Sequence, residues 1–238
     1  LSESLADTSV LEARKSALEK EIVEAEKDLA DACSDLHDAR AKAVPDFSEN
    51  ICNSIRSLEL DRAVFDVVLE SGKPGPDGSD TILFRFSSTG KSPVDVAKCA
   101  SGGEMSRIML CLKAMMARYT NMPSMIFDEI DTGISGRTAW RVSEKLSRLS
   151  EAHQVICITH LPQIAAMADS HFVIEKETDG SSTQTEIRKL SEEGTKEELA
   201  RLLGADSLSE KALENAGELR KQAENIKQKK LQVSRLES

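Results

Sequence analysis

The sequence predicts an α/β chain led by a coiled-coil helix, and three observations carry that expectation. Apolar residues recur at heptad spacing from Lys15 to Ala43, the signature of a helix that packs along another helix. Two short apolar runs, Met125 to Phe127 and Val155 to Ile158, flank a helical stretch, and a strand, helix, strand order with short connections is most simply a parallel βαβ unit. A single Trp and a single Tyr, beside frequent Ala, Leu, Glu and Lys, favour helices over an all-β domain.

Length and charge bound the function. A chain of 238 residues holds one sizeable core, or one core with an extended appendage. The formal net charge of -10 argues against a uniformly basic nucleic-acid binder, although not against a local basic patch. Cys33, Cys52, Cys99, Cys111 and Cys157 include no C-x-x-C pair, so neither a disulfide framework nor a zinc site is indicated, and a reducing, cytosolic compartment fits best. No apolar run is long enough to cross a bilayer. The first residue is Leu1 rather than Met, which suggests a fragment.

Each element follows from its local pattern. Ile22, Leu29, Leu36 and Ala43 form one seam position and Leu18, Ala25, Ala32 and Ala39 the other, with Pro45 expected to end the helix. Two β-rich runs, Ala63 to Leu69 and Thr81 to Phe86, flank a loop from Lys73 to Gly78. Met105, Ile108, Met109, Leu112, Met115, Met116 and Tyr119 then recur at three and four residues, a helix that begins at Gly102 and Gly103. Ala139, Val142, Leu146 and Leu149 give the helix between the two apolar strands. A hairpin is expected from His171 to Lys176 and Thr183 to Lys189, turning at Asp179-Gly180. Helices around Glu197 to Leu203 and Leu208 to Lys230 finish the chain; the cluster Lys227, Lys229 and Lys230 reads as a solvated helix end.

Three motif fragments lack their context. Gly90-Lys91-Ser92 ends like a phosphate-binding P-loop, but the position of the first glycine is Arg85 and Pro93 follows where a helix is required. Asp131-Thr132-Gly133 is the tripeptide of aspartic proteases, present in one copy in a helix-rich chain. Gly133-Ile134-Ser135-Gly136 falls one residue short of a nucleophile elbow.

Stronger chemistry lies on the expected edge of the parallel sheet. Ser101, Gly102 and Gly103 open a long helix, where unpaired N–H groups and the helix dipole attract an anion; a glycine-rich helix start capped by Ser101 is the plain alternative. Asp128 and Glu129 end an apolar strand, and adjacent strand residues point to opposite sides, so one can hold a hard cation such as Mg²⁺ and the other polarise a water. His160 ends the neighbouring strand; alone, it reads as a hydrogen-bonded strand-end histidine.

In order and spacing, "ASGGEMSR" resembles the ABC-ATPase signature, "MIFDEID" the Walker B strand, "TGISG" the D-loop region and "VICITHLPQIAAMAD" the switch-histidine segment. Behind a coiled coil, the set is similar to the C-terminal half of an SMC-like head, most specifically between Ala100 and Asp169, and closely resembles a bacterial DNA-repair branch of that family. The resemblance implies residues 1–44 as a coiled-coil arm and residues 45–238 as the C-terminal lobe of an ABC/SMC-type P-loop ATPase head with a mostly parallel sheet. It implies ATP and Mg²⁺ as cofactors: Ser101, Gly102, Gly103 and Glu104 facing ATP in trans, Asp128 supporting Mg²⁺, Glu129 as catalytic base and His160 sensing the γ-phosphate. Implied partners are the N-terminal lobe of the same protein, a second head, DNA and the recombinase RecA, with no membrane, in a cytoplasmic, nucleoid-associated setting. Two departures stand out. Ser135 occupies the place of a D-loop aspartate, and no Walker A loop precedes the coil, so the isolated chain is expected to be inactive as an ATPase. A non-catalytic interaction module is the alternative from another class; a transporter subunit shares the motifs but not the heptad coil.

Overall fold

A computed structural model describes residues 2–98, 102–117, 119–179, 182–204 and 208–234. The chain forms two compact units, Leu1–Cys52 with Val64–Lys98, and Asn53–Ala63 with Cys99–Ser238.

Helix α1 (Ser2–Arg56), most of which lies in the first unit, continues through Pro45, which corrects the expectation that Pro45 ends it. An interior proline costs about 3 kcal/mol by removing one hydrogen bond and crowding the preceding turn. Ile51 and Ile55, one helical turn apart beyond it, are both 0% exposed, and burying each side chain stabilises by about 1.5–3 kcal/mol. The downstream burial therefore outweighs the proline, and the boundary expected at residues 44 and 45 falls inside one helix. The heptad positions Leu18, Ile22, Leu29 and Leu36 are exposed, leaving an apolar seam along the arm.

Strands β1 (Val64–Gly75) and β2 (Gly78–Ser87) form a long antiparallel hairpin, with Val67 opposite Phe84. The strands extend through the stretch expected as a loop because the hairpin tip is tied to α1. Asp80 accepts a hydrogen bond from His37 Nδ1 at 2.7 Å and one from Arg40 Nη1 at 3.0 Å, while Arg40 Nη2 donates to the Asp77 carbonyl at 2.7 Å. These contacts, His37 first and Arg40 next, hold the Asp80 carboxyl below its ordinary range. Gly78 has φ +90°, and a Cβ there would lie 2.7 Å from Leu36 Cδ2, so the tip requires glycine on both counts. Phe84 lies between Phe47 and Phe65, at centroid distances of 6.1 and 5.6 Å.

The Gly90-Lys91-Ser92 loop closes on itself: Ser87 Oγ donates to the Lys91 carbonyl at 2.6 Å. A two-residue strand β3 (Val94–Asp95), paired with β2, and a single 3-10 turn (Val96–Lys98) follow it. No helix starts there, so the loop lacks the dipole that a P-loop places behind its phosphates.

The second unit carries α2 (Gly102–Met116), β4 (Ser124–Phe127), α3 (Gly136–Leu149), β5 (Gln154–Cys157) and the short α4 (Pro162–Ala166). A second antiparallel hairpin, β6 (Phe172–Asp179) with β7 (Ser182–Lys189), precedes α5 (Glu192–Leu202) and α6 (Glu210–Ser234). Gly180 of the expected turn lies outside the described residues. Strands β4 and β5 pair in parallel, Ser124 opposite Gln154 through Phe127 opposite Cys157. Met125 and Phe127 turn inward and are buried, whereas Ile126 is exposed, the alternation of a strand with one covered face. Ala166, Met167, Leu199, Ala200, Ala216 and Ala223 form a core among the C-terminal helices. Small residues there let the helices approach closely. Arg220 Nη1 closes the end of α4 by donating to the carbonyls of Ala166 and Ala168 at 2.7 and 2.6 Å. Among the described residues no helix is long and apolar enough to cross a membrane.

Candidate functional site

Parallel pairing of β4 and β5 brings their C-terminal ends side by side, and Ile158 N–H extends the ladder by donating to the Phe127 carbonyl at 2.9 Å. Asp128 and Glu129 leave one strand at this edge and Thr159 and His160 leave the other. Both Asp128 and Glu129 are exposed. Glu129 holds φ +53°, a left-handed conformation that costs a side-chain-bearing residue roughly 1–3 kcal/mol and that concentrates at functional sites. The turn that enforces it is closed by Thr132 N–H donating to the Glu129 carbonyl at 3.2 Å and by Ile134 N–H donating to the Asp131 carbonyl at 3.3 Å.

At the centre is Asp131, only 3% exposed. Its Oδ2 accepts the Thr159 hydroxyl at 2.5 Å and the His160 backbone N–H at 2.9 Å, and His160 Nδ1 lies 3.1 Å from the same oxygen. Thr159 Oγ1 in turn accepts the Leu161 N–H at 3.0 Å. The His160 side chain remains 73% exposed. Motif reading passes over the contact between Asp131 and Thr159: Asp131 stands out only as part of a protease-like tripeptide. The available signal was a polar residue, Thr159, ending an apolar strand directly before the histidine.

Helix α2 docks on the same turn. A Cβ at Gly103 would lie 2.4 Å from the Thr132 carbonyl oxygen, so this buried position must be glycine for α2 to rest on residues 129–133. Gly102, by contrast, is exposed, and among the described residues a Cβ there would meet Thr132 Cγ2 at 3.8 Å. Ser106 Oγ donates to the Gly102 carbonyl at 3.0 Å and lies 3.5 Å from the Glu129 carbonyl. Glu104 is half-buried in the first turn. Ser101 lies outside the described residues. Ser135 caps the start of α3 without a side-chain cap hydrogen bond, and glycines at positive φ, Gly133 at +70° and Gly136 at +52°, flank the short loop that carries it.

Electrostatics at this edge favour cations and disfavour further anions. Burial, then Asp131, then Asp128 push the Cys157 thiol up to about 12, which keeps it neutral and unreactive. No group of three or more His, Cys, Asp or Glu suited to enclosing a metal occurs among the described residues. An exposed carboxylate such as Asp128 fits Mg²⁺ all the same, because that ion keeps most of its waters and binds through one or two carboxylates plus substrate phosphates.

This chain is 41% identical over 194 residues to the DNA repair protein RecN of Halalkalibacterium halodurans, a match that covers 79% of this chain and 34% of the relative. It is 36% identical over 222 residues to RecN of Vibrio cholerae, covering 92% of this chain and 40% of that one. The chain belongs to the RecN family. RecN of Treponema pallidum is 45% identical over 148 residues, 62% of this chain and 26% of the relative. The chain spans about a third of the length of the relatives it matches. No family model matches it. Among solved structures, the Smc head domain with a coiled coil and joint from Pyrococcus yayanosii aligns with a TM-score of 0.51 at 23% identity, covering 65% of this chain and 28% of that one. That likeness shows the fold: an SMC-type head segment of mixed α/β structure behind a long helix.

Proposed function

We propose that this chain is the C-terminal half of an ATP-hydrolysing SMC-like head that acts in recombinational repair of DNA double-strand breaks. The observation that carries the reading is the edge of β4 and β5, where an exposed Asp128, a left-handed Glu129 and an exposed His160 meet at one turn. Phosphoryl transfer needs little covalent help from a protein and depends on positioning and charge neutralisation. In this reading Asp128 holds Mg²⁺, whose bound charge offsets that of the phosphates. Glu129 accepts the proton of the attacking water, and its left-handed backbone fixes where the carboxylate points. Ser101, Gly102, Gly103 and Glu104 present the start of α2 to the ATP of a second head. With Gly103 turned onto Thr132, Gly102 is the open backbone position of the pair.

Partners follow from what the fold leaves uncovered. Ile126, Ile156 and Ile158 are exposed on β4 and β5 and just beyond, an apolar face suited to an N-terminal lobe carrying the Walker A loop. The open heptad seam of α1 suits an opposing coil strand, with residues 1–44 as the arm. A second head, DNA and RecA complete the proposed assembly, in a cytoplasmic, nucleoid-associated setting. Within these 238 residues no G-x-x-x-x-G-K-[ST] loop occurs, so by itself the chain serves as an interaction module that supplies half of a composite site. The test is Glu129→Gln in the full-length protein. ATP binding is expected to persist while turnover falls about 100-fold or more, the scale of a lost general base; unchanged hydrolysis would remove Glu129 from this role.

A further inference from the structure

Neutral imidazole carries one proton, and which nitrogen holds it decides whether the other donates or accepts. The His160 ring is exposed, yet its Nδ1 lies 3.1 Å from a carboxylate that is itself 3% exposed. That oxygen also takes the Thr159 hydroxyl and the His160 backbone N–H as hydrogen bonds, so the backbone of His160 is bonded to the same acceptor that its ring nitrogen approaches. Among the described residues the partners of the Asp131 carboxylate are Thr159 and His160, and an ionised carboxylate offers only acceptors. A bare Nδ1 facing it would set two lone pairs against each other.

We propose that Asp131 is the positioning residue of His160, fixing the neutral ring as its Nδ1–H tautomer with Nε2 bare and free. The proposal rests on the reading of His160 as the switch histidine and sharpens it. Neutral His160 then accepts a hydrogen bond at Nε2, from a water or a protonated phosphate oxygen, and only its imidazolium form donates to a phosphate. Through the turn closed by Thr132 and Ile134, the residue that sets this ring also holds the segment that turns Glu129 left-handed. A carboxylate that orients an imidazole through Nδ1 is a known device for setting the tautomer of a catalytic histidine.

The test reads tautomers directly in the ¹⁵N-labelled chain, without nucleotide, at a pH well above the ordinary histidine pKa of about 6.5. Long-range ¹H–¹⁵N correlations report all four histidines, and His160→Gln assigns the signals of His160 by their loss. The expected spectrum shows His160 as Nδ1–H; an Nε2–H ring or an average of the two would overturn the proposal. Asp131→Asn is expected to release the ring into a tautomer average, and Thr159→Val to leave it Nδ1–H. His153, whose Nδ1 lies 2.8 Å from the Met122 carbonyl oxygen, is the control for folding in the same unit. A His160 that stays purely Nδ1–H in Asp131→Asn with His153 unchanged would also overturn it. Should that variant not fold, the native spectrum decides alone. Since no ATP is present, a failure of Glu129 as catalytic base leaves this result standing, and the reverse.

Discussion

Each of the two units contains an aspartate paired with a histidine through Nδ1, and the pairs do different work. In the first unit Asp80 takes His37 at 2.7 Å together with Arg40 at 3.0 Å, and Arg40 goes on to the Asp77 carbonyl. Every donor there ends on the hairpin tip, so the pair is a clamp between hairpin and helix. In the second unit Asp131 takes Thr159 and His160 without an arginine, and the ring it holds stays exposed. A clamp uses its donors up, whereas a site orients one and leaves its far side free. The same two residue types thus give a staple or a poised group according to what else reaches the carboxylate.

The largest expected effect comes from breaking the second pair. Asp131→Ala leaves the Thr159 hydroxyl and the His160 N–H without their acceptor in a part-buried site. Unmade hydrogen bonds of this kind cost about 1–3 kcal/mol each, and a loss of about 3 kcal/mol is expected from urea unfolding with an unchanged m-value. Gly103→Ala strikes the same turn from the other side. Its Cβ meets the Thr132 carbonyl rather than a flexible side chain, and overpacking of this kind costs about 1–3 kcal/mol. Gly102→Ala, in the open, is expected to stay within about 0.5 kcal/mol of the parent.

Smaller effects appear with pH. His171 is held below its ordinary pKa by burial first and by Arg220 next. A lowered histidine pKa means that the folded state binds the proton less well than the unfolded chain. Its contribution is complete above the ordinary value of 6.5 and is lost as pH falls through the lowered one. Stability measured on acidification from pH 7 is therefore expected to fall more gently in His171→Asn than in the parent. The Asp80 clamp gives the least. Its lowered carboxyl contributes above the ordinary value of 3.8 and loses that contribution as pH drops through the lowered one. Amide exchange at Ser79 and Asp80 is expected to quicken there, and Asp80→Asn to show the quickened rate already at neutral pH.

Much of this was legible in local patterns, and what was missed has a common cause. The βαβ unit, helix α2 and the carboxylates at the strand end follow from periodicity and from residue types in a row. Pro45 misled because propensity is local while Ile51 and Ile55 are paid back in the core. Asp131 misled because its partners lie 28 and 29 residues away, and only the β4–β5 register brings them together. The close approach of Gly103 to the Thr132 carbonyl, where a Cβ would not fit, is a contact that no spacing rule reveals.

We propose that this chain holds one half of a composite ATP site. Its most direct test is ATP turnover by the chain alone, by the N-terminal remainder of the full-length protein alone, and by the two mixed. Turnover is expected only in the mixture, and to be lost there with Glu129→Gln. Hydrolysis by this chain alone, or a tightly associated mixture that binds ATP but turns it over no faster than the N-terminal part does, would rule out a composite site.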